Sequence, residues 1–250
     1  DKRIAGLMSD GYVGFNITMP CKEAAYRFCD FVNGSAKRLK SVNTIVLRGG
    51  ITHGYSTDGD GFVNFFIDEK IQISGRKIAV IGSGGAASSI CDALYNAGGK
   101  VTICARNIET ANEICEIVSS NDQIAFASIN FVQLDKADEV ISKADILINA
   151  TPIGMLQGQT LQSQGKLDIA EKIPFNVGLL NSKQIVIDTI YHPLETVLLK
   201  RAKTLGCPVY NGINMLLYQA ALSFELMTGL KPPINIMKNA LLNEIENRQS

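Results

Sequence analysis

The sequence predicts an α/β fold in two parts: a Rossmann-like dinucleotide-binding domain and a smaller α/β substrate domain, facing each other across a cleft. Three observations carry that prediction. Continuous apolar runs, KIAVI (77–81), KVTICA (100–105), ADILINA (144–150) and QIVIDTI (184–190), alternate with helical stretches. Strands buried on both faces read as unbroken apolar runs, and their alternation with helices indicates a parallel sheet covered on both sides. The first of these runs leads directly into a glycine cluster, Gly82-Ser83-Gly84-Gly85-Ala86-Ala87. Ahead of it the texture differs: VNTIVLR (42–48) and ITHGY (51–55) alternate in polarity and are split by Gly49-Gly50, the signature of an antiparallel hairpin.

The elements follow in order. GYVGFNI (11–17) reads as a short strand, and Pro20 opens a helix to about residue 32. After the hairpin a helix is expected from Asp58, with Phe62, Phe65 and Phe66 on its buried face. Helices are expected from the glycine cluster to about Ala97, from Asn107 to about Val118, and over 193–206, where Gly206 stops the last of them. CPVYN (207–211) is a last short strand, and 213–228 and 233–247 are two closing helices. SGRK (74–77) marks the boundary, and the chain returns to the first domain near Gly212. Residues 1–74 with 212–250 thus make the substrate domain, and 75–211 the dinucleotide domain. The chain opens at Asp1 in what reads as the end of a helix, so further sequence is expected upstream.

Composition narrows the function. Hydrophobic residues make up 46% and charged residues 19%, which excludes a disordered chain. Lys+Arg and Asp+Glu both number 24. A nucleic-acid or anionic-membrane binder carries a basic excess, so the partner expected here is a small molecule. The charge-free run from Leu205 to Phe224 is interrupted by Pro208, Asn211, Gly212, Asn214 and Gln219, and no membrane span is expected. None of the six cysteines forms a C-x-x-C pair and there are only two histidines, which argues against a metal site. The cysteines read as reduced, mostly buried thiols of a cytoplasmic protein. His53, in the hairpin, is expected to be solvated.

A strand, then Gly-x-Gly-x-x-Ala, then a helix is the arrangement that binds a dinucleotide pyrophosphate. The glycines allow the tight turn and close backbone approach, and the helix N-terminus supplies N–H groups and a favourable dipole. An NAD site carries an acid at the end of the second strand to accept from the ribose hydroxyls. This chain has Cys104-Ala105-Arg106-Asn107 there, with no acid before Glu109. Arg106 suits a 2′-phosphate, so NADP is favoured and NAD remains the alternative.

Oxidation of an alcohol by hydride transfer needs a group that takes the hydroxyl proton. With two histidines, only one of them near these loops, a Lys/Asp pair is the natural choice, and Lys22 and Asp58 lie at strand ends of the first domain with Asn16, Thr18 and Asn43. Taken singly, each of these residues reads more readily as a surface charge, a helix cap or a turn former, and spacing alone does not single out the pair.

A family resemblance joins them. Gly14-Phe15-Asn16-Ile17-Thr18-Met19-Pro20-Cys21-Lys22 resembles the G-x-N-[VI]-T-x-P-x-K motif of shikimate dehydrogenases, Ser41-Val42-Asn43-Thr44 their A-V-N-T segment, and Gly54-Tyr55-Ser56-Thr57-Asp58-Gly59 their G-x-N-T-D-G. Asn149-Ala150-Thr151-Pro152-Ile153-Gly154-Met155 matches N-A-T-P-x-G-M. Asp188 to Leu199 resembles D-x-x-Y-x-P-x-x-T-x-L-L, and Gly212 to Gln219 resembles G-x-x-M-L-x-x-Q. The motifs run in family order over most of the chain.

The resemblance implies the reversible NADP-linked reduction of 3-dehydroshikimate to shikimate, a step of aromatic amino-acid synthesis. It implies Lys22 as the acid/base and Asp58 as its partner at the substrate hydroxyl. Asn43 and Gln219 would bond the other ring hydroxyls, and Thr18 and Tyr191 would line the substrate site. Gly82, Ser83, Gly84, Gly85, Ala86, Arg106, Asn107 and Gly212 would contact the cofactor, with Thr110 and Thr189 at further positions that touch it. A monomer or homodimer is expected.

The chain departs from the family at some points. The Ser-x-Ser motif that grips the substrate carboxylate has no counterpart in it. Ala105 replaces the usual Asn before Arg106, and Thr110 a frequent basic residue, and both changes weaken 2′-phosphate recognition. Ser56 replaces an Asn, and Cys21 stands where His is frequent. Two alternatives stay open on the sequence: a quinate/shikimate dehydrogenase using NAD, and a non-catalytic ligand-binding relative that kept the pocket.

Overall fold

The described residues of the computed structural model are 6, 11–120, 124–155 and 172–247. The helix end read at the start of the chain lies outside them, apart from Gly6. Strand β1 (Gly14–Asn16) leads to helix α1 (Lys22–Phe28), strand β2 (Phe31–Val32), helix α2 (Gly34–Arg38) and the strands β3 (Thr44–Arg48) and β4 (Ile51–Tyr55). Gly49 and Gly50 take φ of 59° and 80°, as a tight two-residue hairpin turn requires, and β3 pairs antiparallel with β4, Arg48 opposite Ile51. The sheet order is β1-β3-β4-β2, with β2 parallel to β4.

Residues 20–32 do not form the single helix expected. Cys29 is extended (φ −72°, ψ 136°), and Asp30 accepts hydrogen bonds from Thr52 N (2.8 Å) and Thr52 Oγ1 (2.7 Å), which turns the chain into β2. Elements as short as β2 and α2 carry no periodicity to read. His53 is half-buried and its ring stacks on Phe31 at 5.4 Å, so the expectation of a solvated histidine is corrected.

Helix α3 (Asp58–Asp68) begins where expected, and Phe62, Phe65 and Phe66 are buried. They pack with Ile78, Val80, Ile90 and Leu94 of the second sheet's core, so this helix bridges the two halves.

The second sheet contains β5 (Lys77–Ile81), β6 (Lys100–Ala105), β7 (Ser128–Gln133), β8 (Ile146–Asn149), β9 (Ile185–Asp188) and β10 (Val209–Tyr210). All its pairings are parallel, in the order β10-β9-β8-β5-β6-β7. Counted within this sheet the order is 3-2-1-4-5-6 from the β7 edge, the doubly wound arrangement whose switch point lies between β5 and β8. Helices α4 (Gly85–Asn96), α5 (Ile108–Ser119), α6 (Asp138–Lys143) and α7 (Val197–Thr204) connect and cover it.

Strand β7 and helix α6 have no counterpart in the sequence reading. As an edge strand, β7 has partly exposed residues along its length in place of an unbroken apolar run. Helix α7 starts later than expected because Thr196 Oγ1 accepts from Leu199 N and caps it. The closing helices α8 (Ile213–Thr228) and α9 (Ile234–Asn247) agree with expectation, and Gly229 ends α8 at φ 70°. Helix α8 packs on α3 and reaches β3 of the first sheet. Among the described residues no helix is long and apolar enough to cross a membrane.

Candidate active site

Lys22 and Asp58 are the first residues of α1 and α3, 36 positions apart in sequence. The fold brings Lys22 Nζ to 2.7 Å from Asp58 Oδ2, with side-chain exposures of 23% and 13%. Asn43, just ahead of β3, is buried and orients the carboxylate. Its Nδ2 donates to Asp58 Oδ1 (2.9 Å) and Thr57 Oγ1 (3.0 Å), and its Oδ1 accepts from Thr57 N (2.9 Å). The two carboxylate oxygens therefore have separate partners, an amide on one and an ammonium on the other.

Behind Asn43 runs a chain of buried hydroxyls. Thr44 Oγ1 lies 2.7 Å and Thr57 Oγ1 3.2 Å from Ser223 Oγ, which donates to Gln219 O (3.0 Å). Thr44, Thr57 and Ser223 were not singled out from the sequence. Two of them sit inside the quoted motifs, and Ser223 lies one helical turn beyond Gln219 on the same face. The Gln219 side chain donates to Leu216 O (3.1 Å). Helix α3 approaches α8 backbone to backbone at Gly61, where a Cβ would lie 2.5 Å from Gln219 N. Thr18 is exposed, and its carbonyl accepts from Cys21 N (2.9 Å) in the turn that starts α1.

The glycine turn follows β5 at the switch point. Gly82 has φ 111°, and a Cβ there would come within 2.9 Å of Thr151 Cγ2, at the end of β8. Gly84 is the N-cap of α4, no side chain caps this helix, and its first turn holds no acid. A Cβ on Gly84 or Gly85 would meet no atom within 4 Å. Open N–H groups at a helix start, next to a backbone with free space, fit a pyrophosphate. Ser83 and Ala86 flank this cradle. Arg106 is exposed at the end of β6, and Asn107 Oδ1 accepts from Thr110 N (3.1 Å) as the cap of α5. Beyond that cap the described contacts give Asn107 and Thr110 no further role.

The turn and the acid–base pair are close neighbours through one contact. A Cβ at Gly59, the residue after Asp58, would overlap the Ser89 carbonyl oxygen of α4 and come within 2.9 Å of Ala93 Cβ. Ser89 Oγ in turn donates to Gly85 O (3.2 Å), at the start of that helix.

A buried network shapes the loops after β8 and β9. Asn149 Oδ1 accepts from Thr151 N (3.0 Å) and Thr151 Oγ1 (2.7 Å), and Asn149 Nδ2 donates to Asp188 Oδ1 (3.0 Å). Asp188 also accepts from Ile190 N (3.2 Å) and Thr196 Oγ1 (2.7 Å). Burial pushes the Asp188 carboxyl up to about 6, against these three hydrogen bonds, which pull it down. Asn149, Asp188 and Thr196 all lie in the quoted motifs, so the signal was present although no role was read from it. Thr189 meets Gly212 directly: a Cβ at Gly212 would overlap the Thr189 carbonyl oxygen, and Gly212 N donates to Ile190 O (2.9 Å). Tyr191 follows, 44% exposed. Among the described residues no group of three His, Cys, Asp or Glu side chains is placed to hold a metal ion.

A parallel sheet of this order, with an uncapped glycine turn at its switch point and a lysine–carboxylate pair held beside it, defines a nicotinamide-dependent oxidoreductase that acts on an alcohol. Comparison with known proteins identifies the kind. Residues 1–45 match the shikimate dehydrogenase substrate binding domain, 67–156 the shikimate/quinate 5-dehydrogenase family, and 212–242 the shikimate 5′-dehydrogenase C-terminal domain. The shikimate dehydrogenase (NADP(+)) of Methanococcus vannielii is 36% identical over 231 residues, 92% of this chain and 78% of that protein. Shikimate 5-dehydrogenase from Listeria monocytogenes, solved with shikimate and NAD, superposes at a TM-score of 0.85 with 27% identity, covering 96% of this chain and 81% of that one. The Thermus thermophilus enzyme, solved with NADP(H) and shikimate, gives 0.77 and 32% identity, over 92% and 78%. The chain belongs to the shikimate dehydrogenase family.

Proposed function

We propose that this chain catalyses the reversible NADP-dependent reduction of 3-dehydroshikimate to shikimate, with Lys22 and Asp58 as its acid–base pair. The observation that carries this reading is the 2.7 Å contact between them, held at the start of the helix that touches the phosphate-loop helix. Bound NADP supplies the hydride acceptor. In the oxidising direction Lys22 acts as the free amine, taking the hydroxyl proton on Nζ to become the ammonium; in the reducing direction the ammonium returns that proton to the carbonyl oxygen. Asp58 keeps the Lys22 side chain in place through that 2.7 Å bond, which gives the substrate hydroxyl a fixed position beside the pair. Asn43 fixes Asp58 and reaches a ring hydroxyl by exchanging one of its present bonds.

Thr18, Tyr191 and Gln219 line the substrate. Gly82 through Ala86 would cradle the pyrophosphate of NADP and Arg106 would pair with its 2′-phosphate, with Asn107, Thr110, Thr189 and Gly212 as further cofactor contacts. Residues 1–74 with 212–250 act as the substrate half and 75–211 as the dinucleotide half. Six unpaired cysteines and zero net charge support a cytoplasmic enzyme with a small-molecule partner and no nucleic-acid partner, working as a monomer or homodimer. NAD-linked quinate oxidation and a dead ligand-binding relative are not favoured, since the curated relatives are NADP(+) shikimate dehydrogenases.

The test is turnover with shikimate and NADP, followed by NADPH absorbance. Lys22→Ala and Asp58→Ala are each expected to lose about 10²-fold or more, the scale of general acid–base catalysis. Near-normal turnover in purified Lys22→Ala would overturn the assignment.

A further inference from the structure

We infer that Arg38 and Asp92 are a positioning pair that holds the Lys22–Asp58 pair at its working distance from the phosphate loop. This inference rests on the proposed reaction. Arg38 ends α2, on the four-stranded sheet, and Asp92 lies midway along α4, on the six-stranded sheet. Arg38 Nε donates to Asp92 Oδ1 (3.1 Å) and Arg38 Nη2 to Asp92 Oδ2 (2.8 Å), a fork-to-fork arrangement. The Asp92 side chain is 2% exposed and that of Arg38 29%.

A buried carboxylate is out of character for this helix, where Cys91, Ala93, Leu94 and Tyr95 are its buried neighbours. A buried ion pair adds little stability over an apolar pair of equal volume, because the desolvation cost offsets the attraction. It does add direction. Two parallel bonds are satisfied together at a single relative placement of the two elements.

That placement is the one the chemistry needs. Ser89 and Asp92 are three residues apart and share a face of α4, the face that receives Gly59 beside Asp58. From Asp92 the helix runs seven residues back to Gly85 in the cradle. From Arg38 the chain runs five residues on to Asn43, whose amide holds Asp58. The intervening turn is tied by bonds from Leu39 N to Ser35 O (2.9 Å) and from Ser41 N to Ala36 O (3.1 Å). The clamp therefore links the two halves within a few residues of both reacting ends.

A groove of about 690 Å³ opens over the pair, lined also by Asp60, Asn64 and Asn96. In this groove wall the Asp60 carboxyl is held above the usual range, first by desolvation and then by the Asp92 charge, with Arg38 pulling the other way. Arg38 thus answers two carboxylates, and its loss leaves both facing each other unscreened.

The test uses the full chain with Arg38→Ala and Asp92→Asn. Single-turnover oxidation of NADPH by 3-dehydroshikimate is followed with enzyme in excess, so that the rate constant does not depend on the folded fraction. Each variant is expected to lose about tenfold or more in that constant, as an ångström-scale misplacement of reacting groups does. The dissociation constant for NADPH alone stays within twofold, and backbone hydrogen exchange quickens at residues 58–61 and 89–93. If Arg38→Ala does not fold, Arg38→Lys, which keeps the charge and loses the fork, carries the same measurements. A rate constant within twofold of wild type in both variants, or a loss matched by equally weakened NADPH binding, would overturn the inference. A wild-type protein that does not turn over 3-dehydroshikimate overturns the proposed reaction instead, and exchange then decides alone: unchanged exchange in Arg38→Ala rejects the clamp.

Discussion

Replacement of Gly61 by alanine tests how tightly the acid–base helix is seated. The added Cβ would lie 2.5 Å from Gln219 N, 2.8 Å from Gln219 Cα and 3.0 Å from Gln219 Cβ, mostly backbone that no rotamer change can move. Carbon contacts settle near about 3.5 Å, so α3 and α8 must part by about 1 Å. Overpacking of this kind costs about 1–3 kcal/mol. Alanine in a helix interior returns about 1 kcal/mol relative to glycine. The Thr57–Ser223 contact at 3.2 Å spans the same gap, and its loss adds about 1 kcal/mol. The net is about 2 kcal/mol, a fall in Tm of about 4–8 °C, with a folded protein remaining. The catalytic cost is of similar size. Asp58 lies one turn from Gly61 and moves with it relative to Lys22, and a shift of that size costs up to about 10²-fold. Purified Gly61→Ala should therefore lose about tenfold or more in kcat for shikimate oxidation, while NADPH titrated in the absence of substrate binds as before. Wild-type kcat with an unchanged Tm would refute the seating argument.

The glycine turn makes the opposite prediction. Gly84 has open space around it, so Gly84→Ala should melt like wild type while its KM for NADP rises about tenfold or more, the methyl occupying the room the pyrophosphate needs; melting curves and KM measured together check it. Arg106→Ala should weaken NADP(H) far more than NAD(H), and equal losses in a comparison of Michaelis constants would remove Arg106 from the 2′-phosphate site. Asp188→Asn should change the pH dependence of stability. The Asp188 carboxyl is raised from 3.8 to about 6, so the folded state holds its proton more tightly than the unfolded one. Below about pH 4 that difference has no cost; as pH rises through 6, ionisation costs the fold about 3 kcal/mol. Asparagine keeps an acceptor for Asn149 and Ile190 and never ionises. Urea melts of both proteins should show the variant gaining on wild type between about pH 4 and pH 7, and a constant difference over that range would contradict the burial argument.

Much of this molecule was legible before folding because its signals are local. The β5 and β6 runs and the three phenylalanines of α3 are patterns that one face of one element imposes on its own sequence. The glycines at 49, 50 and 82 mark backbone conformations with positive φ, which is equally local. Legibility failed where an element was too short or too exposed to carry a pattern, as at β2, α2 and β7. The site divides the same way. Lys22, Asn43 and Asp58 were visible through their motifs, whereas Ser223 looks like any helical serine until α8 lies against Thr44 and Thr57.

By itself, then, the sequence determined a Rossmann-like parallel sheet covered on both faces, a phosphate turn and the reacting residue types, because periodicity, glycine and charge act over a few neighbouring positions. The motifs paired Lys22 with Asp58, but tertiary structure alone set their direct 2.7 Å contact across 36 positions and made Gly59 and Gly61 points where helices touch. Only it turned an arginine at 38 and an aspartate at 92 into one clamp. Those facts depend on which surfaces face each other, and such pairings are set by the packing of the whole core.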